Sequence, residues 1–253
     1  MKMKKTTVTI STLLAACVLG AALPRAAHAA VHYRPLVKEA RAGNTQAVRQ
    51  LMLAARAGHR GPQFYAGVLY HYGWGVPQNY AKANYWYEKA AAQGNVSAEY
   101  NLGLAYYYGW GVLQDYAKAD AWYEKAAAQG NAGAEYNLGL AYYYGWGVLQ
   151  DYAKADAWYE KAAAQGVAYA ENNLGHAYYL GQGVPQNYAK ANYWYEKAAA
   201  QGNARAENNL GTAYYLGQGV PQNSMKAITW LRKAAAQGFA RARHNLEFIE
   251  TGH

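Results

Sequence analysis

The sequence predicts an all-α solenoid of antiparallel helix pairs. Three observations carry this. The dipeptide Gln-Gly recurs at Gln93-Gly94, Gln129-Gly130, Gln165-Gly166, Gln201-Gly202 and Gln237-Gly238, each 36 residues after the last. The glycines Gly67, Gly103, Gly139, Gly175 and Gly211 keep the same step, and a fixed period of this size marks a stacked repeat architecture. Between these glycines the chain is rich in alanine, which favours helix, with apolar residues at helical spacing.

Residues 95–130 serve as the unit. Asn95 is placed to cap a first helix over about residues 96–108, with Ala98, Leu102, Gly103 and Tyr106 on its core side. Gly109 stops that helix, and Gly109-Trp110-Gly111 forms a tight connector. Asp115 caps the second helix; Asn79, Asp151, Asn187 and Asn223 hold the same slot. That helix runs to about Gln129, with Ala119, Trp122, Tyr123 and Ala126 as its expected buried stripe. Gly130 ends it in the left-handed conformation. One pair cannot bury both faces, and stacking on the next pair does so.

The units expected on this reading are residues 59–94, 95–130, 131–166, 167–202 and 203–238, five repeats spanning 59–238. Residues 31–58 should form two N-terminal capping helices divided near Gly43-Asn44. Residues 239–253 should form a C-terminal capping helix and tail, with Leu246 in the slot of Leu210.

Residues 1–30 read as a signal peptide: a basic start at Lys2, Lys4 and Lys5, an apolar stretch, Pro24, then Ala27-His28-Ala29 as a cleavage pattern. The mature chain would begin near Val31, in the periplasm or outside the cell. A rival reading takes Leu14-Ala15-Ala16-Cys17 as a lipobox with Cys17 lipidated and the protein on the outer membrane; the apolar residues 18–23 beyond it favour soluble export. Cys17 is the one cysteine, so the exported chain would have no disulfide and rest on packing.

The formal charge is +9. Leaving out Lys2, Lys4, Lys5 and Arg25 of the leader reduces it to about +5, spread through the repeats, and a nucleic-acid footprint needs a concentrated patch. No nucleic-acid partner is expected, and a membrane partner only through a lipidated Cys17.

These residues closely resemble the Sel-1-like repeat family, relatives of the tetratricopeptide repeats. The resemblance is carried by Ala98, Leu102-Gly103, Tyr106, Gly109, Gly111-Val112, Lys118-Ala119, Trp122-Tyr123, Lys125-Ala126-Ala127 and Gln129-Gly130, and by their counterparts over about residues 59–246. Pro62 in the first unit and Trp230-Leu231 in the last depart from the pattern. The resemblance implies a right-handed α/α superhelix and a role as adaptor or scaffold in bacterial envelopes or host contact. Some secreted cysteine-rich relatives have been linked to penicillin-like compounds; the repeats here carry no cysteine.

In such stacks the first helix lines the concave face. The slots turned away from Leu102 and Gly103 hold Tyr100, Asn101, Leu104, Tyr107 and Tyr108, then Tyr136, Asn137, Leu140, Tyr143 and Tyr144. Later units carry Asn172, Asn173, His176, Tyr179 and Leu180, then Asn208, Asn209, Thr212, Tyr215 and Leu216. The expected groove therefore runs from aromatic to amide-rich. The candidate ligand residues are Tyr100, Asn101, Tyr107, Tyr108, Tyr136, Asn137, Tyr143, Tyr144, Asn173, His176, Tyr179, Asn209 and Tyr215. Rings stack and amides satisfy backbone or hydroxyl groups, which suits an extended peptide or a cell-wall glycan. A purely structural reading stands beside this: the asparagines bond neighbouring helices and Tyr107 and Tyr108 pack between repeats.

No catalytic constellation is legible. His32, His59, His71, His176, His244 and His253 share no metal-ligand spacing, and no nucleophile motif surrounds the serines. Glu99, Glu135, Glu171 and Glu207 recur as inter-repeat or solvated carboxylates rather than a catalytic pair. No cofactor and no metal are expected. The leading expectation is a non-enzymatic scaffold that binds a protein or peptide. The alternative is a peptidoglycan or exopolysaccharide factor, or an envelope enzyme acting on a β-lactam.

Overall fold

The computed structural model describes residues 33–251. Residues 1–30, read above as a leader with Cys17, and His32 and His253 lie outside the described residues. The described chain is helical throughout, with thirteen helices and no strand. α1 (Arg34–Arg41) and α2 (Thr45–Arg56) precede five pairs: α3 (Arg60–Tyr72) with α4 (Tyr80–Ala91), α5 (Val96–Tyr108) with α6 (Tyr116–Ala128), and α7 (Ala132–Tyr144) with α8 (Tyr152–Ala164). α9 (Ala168–Leu180) with α10 (Tyr188–Ala200) and α11 (Ala204–Leu216) with α12 (Ser224–Ala236) complete them, and α13 (Ala240–Thr251) follows. Each helix packs on its partner and each pair on the next, the sequential contacts of a solenoid.

The capping chemistry falls where the sequence puts it. The Asn95, Asn131 and Asn203 side chains accept from the backbone N–H three residues on, at 2.9–3.1 Å. Asn79, Asp115, Asp151, Asn187 and Asn223 do the same for the second helices, at 2.9–3.0 Å. Val167, in the slot of Asn131, caps α9 without a side-chain bond.

Glycine recurs for two different reasons. In the connector, Gly147 has φ +73° and lies so close to the preceding repeat that a Cβ would come within 2.6 Å of the Tyr116 carbonyl carbon. Only glycine meets both the left-handed backbone and that approach. Inside the first helix, Gly103 lies beneath the ring of Tyr123, whose atoms occupy the place a Cβ would take. Gly67–Tyr87, Gly139–Tyr159 and Gly175–Tyr195 repeat the pair, and Leu231 replaces the ring over Gly211.

Two expected core residues are shifted outward. Tyr106 is half-buried; the fully enclosed position is Ala105. A ring at the Tyr106 slot is too large for the tight helix contact, so it lies at the edge, 5.6 Å from the Lys118 amine. Trp122 is also half-buried. It packs against the cluster that joins Tyr87 of the preceding repeat to Leu102 of its own, while the Lys125 amine covers its outer face at 4.0 Å. The tryptophan therefore seals the seam between repeats instead of filling one pair, and the lysine stem and charge complete its cover.

Candidate functional site

The first helices of the later repeats converge on a groove of about 840 Å³, closed at one end by the start of α13. Six of the sequence-predicted residues line it: Tyr143 and Tyr144 from α7, Asn173, His176 and Tyr179 from α9, and Asn209 from α11. Tyr100, Asn101, Tyr107, Tyr108, Tyr136, Asn137 and Tyr215 lie outside it.

Side-chain volume explains the division. At equivalent slots the earlier repeats carry Tyr100, Leu104 and Tyr136, and the later ones Asn172, His176, Asn208 and Thr212; Leu140 of α7 lines the groove at the boundary between them. The large rings use up the space. Tyr100 packs against Gly133 and Tyr123, and Tyr136 against Tyr159 and Tyr169. Tyr107 meets Tyr116 and Trp146 of the neighbouring connector, at 5.3 and 5.6 Å between ring centres. Tyr215 meets Phe248 of α13 at 6.2 Å. The smaller side chains of the later repeats leave the groove open.

The asparagines form an inter-repeat ladder. Asn245 donates to Asn208 at 3.0 Å, and Asn209 donates to Asn172 at 3.3 Å. Asn208 and Asn172 are turned toward their own neighbours, Asn209 and Asn173. One step earlier, Asn173 lies beside the Tyr136 hydroxyl and Asn137 beside that of Tyr100. Asn101 donates to the Ser97 carbonyl at 2.6 Å. Apart from Asn101, whose bond stays within its own helix, these amides join neighbouring repeats, and in the open half Asn172, Asn173, Asn208, Asn209 and Asn245 line the groove.

Several lining residues of the groove are absent from the candidate set drawn from the sequence. Arg205 and Arg241, both exposed and 36 residues apart, sit on it, and no acidic residue lines it. Among the described residues neither guanidinium has an ion pair; the salt bridges are Lys118–Asp115, Lys154–Asp151 and Arg232–Glu250. Tyr159 and Tyr195 reach it from the second helices, and Asn172, Asn208 and Asn245 from α9, α11 and α13. The 36-residue recurrence of Arg205 and Arg241 was a legible signal. His176 is on the wall, its pKa lowered from the usual histidine value by burial, so it is neutral at pH 7.

Beside the groove stands an edge of stacked aromatics. Trp110 lies between Tyr108 and Tyr80, with ring centres 4.6 and 5.9 Å away and planes within 20°. Trp146 lies likewise between Tyr144 and Tyr116, at 4.4 and 5.9 Å. In the last two repeats Gln182 and Gln218 take the tryptophan slot.

Among the described residues no group of three or more His, Cys, Asp or Glu side chains is placed to hold a metal. No described helix is long and apolar enough to cross a membrane. The carboxylates Glu99, Glu135, Glu171 and Glu207 are buried, each receiving a hydrogen bond from the Gln of its own repeat's Gln-Gly, at 2.7–2.8 Å. They are structural clasps within each helix pair.

Comparison with known proteins agrees with this architecture. The Sel1 repeat matches over residues 63–95, 96–131, 132–167, 168–203 and 204–239. No curated protein matches the chain. Among solved structures, a protective antigen present in uropathogenic Escherichia coli strains and displaying an SLR fold is 35% identical. The match covers 88% of this chain and 52% of that one at a TM-score of 0.79; this chain thus spans about half the length of that protein. A Sel1 repeat protein from Oxalobacter formigenes is 33% identical, covering 86% of this chain and 87% of that one at a TM-score of 0.78. An immunity protein from Pseudomonas aeruginosa, 22% identical over 82% of this chain and 83% of its own at a TM-score of 0.51, shares the fold alone. Sel1 repeat proteins generally act as protein-interaction scaffolds and are typically non-enzymatic. With five matched repeats, their paired helices and two solved relatives above 30% identity, this chain belongs to the Sel1 repeat family.

Proposed function

We propose that the protein is a non-enzymatic scaffold of the bacterial envelope or the secreted space. Its groove holds an extended, acidic segment of a protein partner. The observation that carries this is the groove itself: open only in the later repeats, lined by tyrosine and asparagine, with Arg205 and Arg241 and no carboxylate. Tyrosines offer rigid area at low entropic cost, and amides match a peptide backbone. The two guanidiniums offer bidentate pairing to carboxylates. The envelope or secreted location rests on the leader-like residues 1–30.

An overlay of the purified chain on an array of unstructured twelve-residue peptides tests this reading. Binding should concentrate on acidic peptides that also carry aromatic residues. It should fall at least tenfold when Tyr143 and Tyr179 are replaced together by alanine, with helix content unchanged. Binding that ignores this pair would remove the groove from the account. Turnover of nitrocefin or of muropeptides, abolished by one point change, would replace the scaffold reading with an enzymatic one.

A further inference from the structure

One slot on the second helices faces the connector of the following repeat. It holds Val48, Asn84, Asp120, Asp156, Asn192 and Ile228, at 36-residue steps. Where the residue is asparagine its role is plain. The Asn84 amide donates to the Trp110 carbonyl at 2.6 Å, and the Asn192 amide to the Gln218 carbonyl at 2.7 Å. Each bond spans 26 residues and ties one repeat to the next.

In the two central repeats the slot holds aspartate. The residues 26 positions on are Trp146 and Gln182. Asp120 and Asp156 are only 6% and 4% exposed, and the Oδ2 atom of each is buried without a hydrogen-bond partner. Those oxygens lie against Gly147 and Gly183, the residues that follow the two carbonyls. An ionised carboxylate here would face a carbonyl oxygen, two acceptors with no proton between them, at the full cost of a buried unpaired charge. A neutral carboxyl has an O–H and reproduces the asparagine bond.

We propose that Asp120 and Asp156 close the two central seams of the solenoid as neutral acids. Each donates its carboxyl proton to the connector carbonyl of the next repeat, at Trp146 and Gln182, and the seams loosen when those protons leave.

The surroundings favour the neutral form. Burial first, and Glu124 or Glu160 one turn along the same helix second, push both carboxyls up to about 7. The other titratable neighbours are the Tyr123 hydroxyl on α6 for Asp120 and the Tyr143 hydroxyl on α7 for Asp156. No basic side chain is among the charges acting on either carboxyl. In the unfolded chain the proton leaves near the ordinary value of 3.8. Between that value and about 7 the folded state holds more protons than the unfolded one. The stability these two acids contribute is therefore complete below the ordinary value and lost as pH rises through about 7. The seams separate α7 and α9 from the repeats before them, and those helices carry Tyr143, Tyr144, His176 and Tyr179 of the groove. Proton loss thus acts on the groove's geometry without touching its lining.

The test compares the purified chain with an Asp120→Asn/Asp156→Asn variant, which copies the flanking repeats. Thermal melting and amide hydrogen exchange at residues 145–148 and 181–184 are followed at pH 5 and pH 8. The unaltered chain should melt lower at pH 8, and its connector amides should open at least tenfold more often after correction for intrinsic exchange. The variant should lose the connector opening, should melt no lower or only slightly lower at pH 8 than at pH 5, and should outlast the unaltered chain at pH 8. An equal response to pH in both proteins would overturn the proposal. Carboxyl carbon NMR titration of the unaltered chain gives the answer even if the variant fails to fold. Midpoints for Asp120 and Asp156 well above the ordinary carboxylate range support it, and midpoints within that range overturn it.

Discussion

The side-chain amide of Gln129 donates to the buried carboxylate of Glu99 at 2.7 Å, joining the end of the second helix to the start of the first within one repeat. Gln165–Glu135, Gln201–Glu171 and Gln237–Glu207 repeat the clasp at 2.7–2.8 Å. In the first unit Gln93 meets Gln63 at 2.7 Å instead. The Gln-Gly signature thus has two parts: the glycine ends a helix, and the glutamine closes the pair. Replacing Gln129 by alanine leaves the Glu99 carboxylate buried without its donor, at a cost of about 1–3 kcal/mol. Urea denaturation should show this loss, and the exposed Glu88→Ala should show almost none.

The Gly103–Tyr123 pair gives a prediction of opposite sign for its two members. A methyl group at Gly103 meets the Tyr123 ring. Gly103→Ala should therefore destabilise by about 1–3 kcal/mol despite alanine's better helix propensity. The Tyr123 hydroxyl is buried without a hydrogen-bond partner, so Tyr123→Phe should leave stability unchanged or raise it. Paired thermal melts of the two variants check both outcomes.

The helix caps predict a gain. Val167 caps α9 with no side-chain bond, whereas Asn131 in the same slot bonds the Ala134 N–H at 2.9 Å. Val167→Asn should raise stability by about 0.5–1 kcal/mol, the worth of a cap less the apolar contact surrendered. The converse Asn131→Val should lower it. Chemical denaturation of both variants reads the two signs.

Acid and base should bracket a stability maximum. The Asp115 and Asp151 carboxylates accept from the Lys118 and Lys154 backbone N–H, which holds their pKa below the usual range. Their contribution is present above the ordinary value of 3.8 and lost as pH falls through the lowered one. Asp120 and Asp156 act in the opposite sense, losing theirs toward about 7. The contribution of these four aspartates should therefore peak at about pH 4–5, read as the difference in melting temperature between the unaltered chain and one with all four replaced by asparagine. The acid limb should flatten in Asp115→Asn/Asp151→Asn, because Asn79, Asn187 and Asn223 already cap by the same geometry.

The fold was legible because each constraint recurs. Caps, connector glycines and the tight Ala98, Gly103, Ala119 and Ala126 positions follow from local chemistry seen five times. Tyr106 and Trp122 were placed too deep, since helical spacing gives a direction but not the distance to the neighbouring helix. The groove was legible only in part. The drift from Tyr100 and Tyr136 to Asn172 and Asn208 was visible in the sequence. That the large rings would fill their own half of the groove depends on packing between repeats. Tyr159 and Tyr195 were hidden for the same reason: a residue can serve the core with its ring and line a groove beyond it.

Site-directed photo-crosslinking tests the groove most directly. A photoreactive side chain placed at Tyr179, on the groove wall, is compared with one at Tyr193, exposed on the second helix and outside the groove. An acidic peptide captured by the chain should crosslink from position 179 and not from position 193. An excess of unlabelled peptide should remove the crosslink. Crosslinking from 193 alone, or equally from both, would contradict the groove as the seat of recognition.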